Sequence, residues 1–183
     1  MAKKILVVLA DGFEEIEAVT PIDVFRRAGL EVTVAGLGKT LVEGAHGIKI
    51  QADTALDKYK DTPDAVVLPG GMPGAKNLAE SKDVALLLER AQKSGKIIGA
   101  ICAAPGLVLA RHGILDGKKA TSYPGFEKNF GPKTSFSAAR VVTDGNVTTS
   151  RGPGTALEFA LELVTRLTGQ GQADKLSQDM LAR

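Results

Sequence analysis

A chain of 183 residues is a little longer than one typical domain, so a single compact domain over residues 1–183 with a sizeable core is expected. Hydrophobic residues at 44% with 24% charged exclude an intrinsically disordered chain, and 23 basic against 21 acidic residues, interspersed to a net +2, give no reason to expect a specific nucleic-acid partner. A single cysteine excludes an intramolecular disulfide and a cysteine-based zinc site, and no run approaches the roughly 20 apolar residues of a membrane span, so a soluble, cytoplasmic protein with no membrane partner is expected.

In chain order, the apolar run 5–10 follows Lys3 and Lys4 in the outline of a crude signal peptide, but Asp11, Glu14, Glu15 and Glu17 cut it off, and it reads as a first strand. Residues 15–28 predict a helix that Pro21 should kink or divide and Gly29 should end. A second strand follows over 31–35, then a small strand pair within 36–53, where Ile48 and Ile50 bracket Lys49. Residues 65–68 and 97–102 predict two more strands, separated by a helix over 82–93 with Ser81 as its cap and Gly95 closing it. The stretches 140–143 and 146–149 flank Asp144-Gly145, a strong hairpin signal. The last predicted helix, 155–167, carries Ala156, Ala160, Leu163, Val164 and Leu167 on one stripe and stops at Gly169. Strands that are apolar at nearly every position are covered on both faces. The expectation is therefore an α/β domain: a mostly parallel sheet covered by helices on both faces, decorated by an added β-hairpin.

Several motifs dissolve on inspection. Gly38-Lys39-Thr40 resembles the end of a phosphate loop, but Thr33 stands where the earlier glycine is required, and Gly36-Leu37-Gly38 lacks the last glycine of a dinucleotide fingerprint because position 41 is Leu41. Asn146-Val147-Thr148 matches a glycosylation sequon inside a predicted hairpin. His46 and His112 lack paired ligand spacing and read as loop histidines rather than metal ligands.

Cys102 differs because of its place. It follows the strand Ile97-Ile98-Gly99-Ala100-Ile101 and precedes Ala103-Ala104-Pro105-Gly106, so its thiol sits at a strand-to-helix corner where unpaired amides and the helix dipole should lower its pKa. A buried small hydrophobe is the ordinary alternative for a lone cysteine. Leu68-Pro69-Gly70-Gly71 ends another strand at the same carboxyl edge, and the amides of Gly71 and Ala103 together suit an oxyanion formed when Cys102 attacks a carbonyl. Asp11 to Glu17 reaches that edge too, and one of its carboxylates, with its pKa raised by burial, could share a proton with the thiol; spacing alone does not choose between Glu14 and Glu17. Arg151, in Ser150-Arg151-Gly152-Pro153-Gly154-Thr155, suits either an anion or a neighbouring carboxylate.

Taken together, Glu14-Glu15-Ile16-Glu17, Leu68-Pro69-Gly70-Gly71, Ala100-Ile101-Cys102-Ala103-Ala104-Pro105 and Ser150-Arg151-Gly152-Pro153-Gly154-Thr155 strongly resemble the ThiJ/PfpI superfamily over nearly the whole chain. The Cys-Ala-Ala-Pro and Arg-Gly-Pro-Gly-Thr segments resemble its parkinsonism-associated deglycase branch with that branch's bacterial relatives. The resemblance implies a flavodoxin-like sandwich, a homodimer, Cys102 as nucleophile, Glu17 as its protonated partner, and the Gly71 and Ala103 amides as the oxyanion site. Two departures stand out. Ala103 replaces the histidine that follows the nucleophile in the protease-like branch, which disfavours peptidase activity. Tyr123 stands where relatives with glyoxalase activity often carry histidine; a tyrosine hydroxyl donates a hydrogen bond but is a poorer base at neutral pH, which predicts a low rate.

The expected function is cysteine-dependent carbonyl-stress chemistry on methylglyoxal, glyoxal or early glycation adducts of proteins or nucleotides. It would be of the glyoxalase or deglycase type, hydro-lyase or hydrolase, with no metal or organic cofactor. The alternative from the same residues is a redox sensor or oxidative-stress chaperone without turnover, acting through oxidation of Cys102. Amide hydrolysis ranks last, because it needs a histidine that neither His46 nor His112 supplies.

Overall fold

The computed structural model describes residues 2–182. Its elements run β1 (Lys4–Leu9), α1 (Glu15–Arg27), β2 (Glu31–Gly36), β3 (Leu41–Glu43), β4 (Lys49–Gln51), β5 (Thr54–Ala55), β6 (Ala65–Leu68), α2 (Gly74–Glu80), α3 (Lys82–Lys93), β7 (Ile97–Ile101), β8 (Lys119–Ala120), β9 (Ser135–Phe136), β10 (Val141–Asp144), β11 (Val147–Ser150), α4 (Ala156–Thr168) and α5 (Gln170–Asp179). Seven strands form the central sheet in the order β10-β11-β7-β6-β1-β2-β5, parallel throughout except for the β10 edge.

The apolar strand runs are two interleaved faces. Along β1, Ile5, Val7 and Leu9 pack beneath α1, α4 and α5 with Ala18, Ile22, Phe25, Phe159, Leu163 and Leu176. Leu6, Val8 and Ala10 point the other way into a second core with Leu78 of α2 and Val84, Leu87 and Leu88 of α3. Period-two alternation between two covered faces leaves no polar position, which is why β1 carries none after Lys4. Gly99 in β7 lets α4 settle onto the sheet: a Cβ there would lie 2.9 Å from Leu163 Cδ1 and 3.0 Å from Phe159 Cζ.

The expected flavodoxin-like architecture is the one observed, with local corrections. Pro21 does not divide α1, which continues to Arg27. Ser81 caps α3 as read, its Oγ accepting from the Val84 N–H at 3.3 Å, but α2 before it and α5 after Gly169 went unread. The hairpin pairs Val141–Asp144 with Val147–Ser150, one residue later than expected, and it is no decoration: β11 lies parallel to β7 inside the main sheet. The small strand pair expected within 36–53 is β3–β4, and it is antiparallel. No helix among the described residues is long and apolar enough to cross a membrane.

The strand order sets the site. From β1 the chain moves to β2 on one side, whereas β6, β7 and β11 build up on the other, so the loops leaving β1 and β6 diverge at their carboxyl ends and open a crevice. The loop after β7 enters from the next strand.

Candidate active site

Cys102 stands immediately beyond β7 with φ 65, one of two non-glycine residues with positive φ among those described. A side chain in this left-handed region costs about 1–3 kcal/mol and persists only where its surroundings hold it. Here the backbone is tied on both sides: the Cys102 N–H donates to the Ser150 carbonyl at 2.9 Å, and the Tyr123 N–H donates to the Cys102 carbonyl at 2.8 Å. The chain then enters not a regular α-helix but a wide π-helical turn over Pro105–Leu109. Cys102 is 9% exposed, at the lip of the core rather than sealed within it, and the N–H groups of Gly71 and Ala103 favour its thiolate.

Glu17 reaches the same sulfur from the first turn of α1. Its carboxyl is fully buried. One oxygen, Oε2, accepts from the Gly70 N–H at 2.8 Å, while Oε1 is buried without a hydrogen-bond partner. The choice between Glu14 and Glu17 that spacing left open follows from what Glu14 does, and Glu15 is engaged elsewhere. Glu14 caps α1, its Oε2 accepting from the Glu17 N–H at 2.8 Å. Glu15 latches the β3–β4 hairpin, accepting from the His46 N–H at 2.6 Å and the Ile48 N–H at 3.4 Å and sitting 2.8 Å from His46 Nδ1. Burial opposes the Glu15 charge, but these hydrogen bonds outweigh it and hold its carboxyl below the usual range.

The thiol and the Glu17 carboxyl cannot both be ionised at close range. Burial first, then repulsion from Glu14, raises Glu17 from its ordinary 4.5 to about 7, with the Cys102 and Gly70 hydrogen bonds opposing. Burial first, then the Glu17 charge and hydrogen bond, push Cys102 from 9.0 to about 12, against the Gly71 and Ala103 amides. The sequence reading expected the corner to lower the thiol's pKa. The structure corrects this: the amides favour the thiolate, but desolvation and the adjacent acid win. Each group therefore holds its proton to a higher pH than it would alone, and the two titrate as a coupled pair.

Glycines make this closeness possible. A Cβ on Gly70 would lie 2.7 Å from Cys102 Cβ, 2.8 Å from Glu17 Oε2 and 3.0 Å from the Ala103 nitrogen. Gly71 has φ 87, and a Cβ there would lie 2.3 Å from the Glu14 nitrogen. Cys102, Glu17, Gly71 and Ala103, singled out in the sequence, are thus brought together. Gly70, whose N–H holds the acid, was missed, although its pairing with Gly71 was the visible signal. Gly152 was also missed, and so was its contact with Tyr123, which the sequence had marked only as a departure from histidine: a Cβ on Gly152 would lie 3.1 Å from Tyr123 Cδ2 and 4.0 Å from Glu17 Oε1. Thr155 Oγ1 ties this loop, 2.6 Å from Ser150 Oγ and accepting from the Gly152 N–H at 3.1 Å. The Arg151 guanidinium forms no ion pair with a carboxylate among the described residues and lies 6.0 Å from the centroid of the Phe136 ring.

Glu14, Glu15 and His46 bring three potential ligand atoms within 4.8 Å of one another, but the first two are occupied by the cap and the latch just described. His112 lies away from the sulfur beside Ile114 and Gln92.

The model of the DJ-1/PfpI family matches residues 3–166. The Parkinson disease protein 7 homolog of Danio rerio is 46% identical over 186 residues, covering 99% of this chain and 98% of that protein. Glutathione-independent glyoxalase DJR-1.2 of Caenorhabditis elegans is 41% identical over 164 residues, 89% of this chain and 87% of its own length. The crystal structure of Drosophila melanogaster DJ-1beta superposes with a TM-score of 0.96 at 43% identity, covering the whole of both chains. The chain spans less than half the length of two Arabidopsis thaliana relatives, DJ-1 homologs A and B (47% and 42%).

Proposed function

Because this chain belongs to the DJ-1/PfpI family, we propose that it is a cysteine-dependent, cofactor-independent enzyme of carbonyl stress, converting small α-oxoaldehydes such as methylglyoxal to hydroxy acids and acting on early glycation adducts. The observation that carries the reading is the convergence of a strained thiol, the Gly70–Gly71 loop and a buried carboxyl with a free oxygen at one point of the sheet edge. A relative named as a glutathione-independent glyoxalase supports it.

In this mechanism the pair reacts in its thiolate–carboxylic acid form. Sulfur adds to the aldehyde carbon, and the new alkoxide, met by the Gly71 and Ala103 amides, takes the Glu17 proton to give a hemithioacetal. Glu17, now a carboxylate, removes the hydrogen from the former aldehyde carbon, giving an enediolate. It returns that proton to the neighbouring carbon while the hydroxyl proton passes from the first oxygen to the second, leaving a hydroxyacyl thioester. Water cleaves the thioester, releasing the hydroxy acid and restoring the thiol. The sum is one water added, with no outside oxidant or reductant. Cys102→Ser is expected to abolish lactate formation from methylglyoxal; wild-type turnover in that variant would reject the proposal.

A second reading keeps the residues and drops the turnover. The amides that favour the thiolate would equally hold the oxygens of a sulfinate formed by peroxide. Graded peroxide and intact-mass measurement separate the two: gain of two oxygens at Cys102 in a protein that makes no lactate favours a sensor or chaperone, and slow oxidation disfavours it.

The proposal includes a cytoplasmic homodimer. Ile16 and Val19 stand exposed on α1, and Ile48, also exposed, is brought to the start of the same helix by its bond to Glu15. A second copy would cover this apolar face.

A further inference from the structure

The buried Glu17 oxygen without a partner lies 4.0 Å from the point a Cβ on Gly152 would occupy, and the nearest group to that point is an aromatic side chain that the mechanism does not use. Tyr123 is exposed, at 46%, yet one side of its ring lies against protein. Its position is locked to the nucleophile: its N–H donates to the Cys102 carbonyl at 2.8 Å, the Phe126 N–H donates to the Tyr123 carbonyl at 3.1 Å, and its ring meets Phe126 edge-on with centroids 6.4 Å apart. The two backbone bonds fix the Tyr123 main chain beside Cys102, and the Phe126 contact braces the ring itself. On its other side it presses on Gly152. That residue has φ 167 and ψ −170, an extended backbone open to any amino acid. What disfavours a side chain there is the ring, 3.1 Å from the point a Cβ would occupy. Glu17 Oε1 lies 4.0 Å from the same point. Gly152 is therefore small because Tyr123 covers it, and the cover ends beside the acid.

We propose that Tyr123 is a specificity-determining residue: its ring, seated on Gly152 beside the unpartnered Glu17 oxygen, limits the size of the substituent that a carbonyl compound or other electrophile can carry to Cys102. Applied to substrates, this rests on the carbonyl-stress reading above. The favoured class is an α-oxoaldehyde whose second carbonyl bears hydrogen or methyl, its oxygen placed towards Glu17 Oε1. An aryl group in that place meets the Tyr123 ring.

The chain has one cysteine, so labelling reports this site alone and needs no turnover. Rates of Cys102 modification by iodoacetamide and by the bulkier N-phenylmaleimide are measured by intact mass in wild type, Tyr123→Phe, Tyr123→Leu and Tyr123→Ala, with thermal unfolding to confirm folding. Tyr123→Ala is expected to raise the phenylmaleimide-to-iodoacetamide ratio about tenfold, the low end of what one pocket-lining group confers on discrimination. Tyr123→Leu moves it the same way by less, and Tyr123→Phe leaves it unchanged. A ratio unchanged in both small variants, or both rates rising equally, overturns the proposal. In parallel, the phenylglyoxal-to-methylglyoxal ratio of kcat/KM is expected to rise in Tyr123→Ala. A wild type that makes no lactate refutes the carbonyl-stress reading, while the labelling ratio still decides the role of Tyr123.

Discussion

Two side chains hold the chemistry, and their coupled titration gives a signed prediction. Glu17 rises from 4.5 to about 7 on folding, so between those values the folded protein binds more protons than the unfolded one, and stability falls as pH climbs through that window. The shift corresponds to about 3 kcal/mol. Glu17→Gln removes this term: in urea unfolding at a series of pH values its curve is expected to flatten over the window, and a slope as steep as wild type would refute the assignment. His46 adds a slope of the same sign at the upper end of the window: raised first by its Glu15 hydrogen bond and then by that charge, it loses its contribution as pH rises from 6.5 upward. The acid limb belongs to other groups. Asp11 is lowered chiefly by its Lys39 hydrogen bond, and Asp64 is lowered because hydrogen bonds from Lys4 and Lys96 outweigh its burial. Their stabilisation is lost as pH falls through their depressed values. Glu17→Gln also frees the thiol from a neighbouring negative charge, so thiolate absorbance is expected to show Cys102 ionising well below the wild-type step near 12; an unmoved step would contradict the coupling.

At the scale of elements, the site is where three carboxyl-edge loops touch, and each loop contributes backbone. α1 is started by Glu14, which caps the residue that carries the acid. Glu14→Ala is expected to cost about 1 kcal/mol in urea unfolding. It should also slow the enzymatic reaction, because the first turn of α1 aims Glu17. The β6 loop is less forgiving. Gly70→Ala inserts a methyl group 2.7 Å from Cys102 Cβ and against the acid's bound oxygen, an overpacking worth about 1–3 kcal/mol. Unchanged stability and activity in that variant would mean the loop is slack, contrary to the geometry. The β7 loop supplies Cys102, strained but bolted to β11 through Ser150.

Over the whole molecule, the parallel order explains why these loops meet: every main-sheet strand but β10 ends at the same edge, and β1 and β6 part there. Helices α1, α4 and α5 close one face and α2 and α3 the other, so the edge is left as the accessible entrance to the core chemistry. The proposed homodimer is a property of this scale. Sedimentation equilibrium is expected to give twice the chain mass for wild type and a monomer for Val19→Glu, whose charge would fall in the apolar face of α1; a wild-type monomer would remove the dimer.

What the chain determined by itself is what short-range pattern carries. Uninterrupted apolar runs announce a sheet covered on both sides, Ser81 and Gly95 bracket α3, and Asp144-Gly145 joins β10 to β11, because each signal is complete within a few residues. The candidate nucleophile was legible for the same reason: a lone cysteine between a strand and Ala-Ala-Pro-Gly marks a corner. Short α2 and polar α5 escaped because their apolar contacts, Leu78 in one core and Leu176 in the other, are too few to impose a period. Only the tertiary structure decided that Glu17 rather than Glu14 faces the sulfur, that Gly70 holds its carboxyl, that Tyr123 covers Gly152, and that the thiol is pushed up rather than down. Each of these depends on distances between segments 50 or more residues apart in several cases, as from Glu17 to Gly70 at |i−j| of 53. Desolvation and like-charge repulsion act through space, and nothing in local spacing records them.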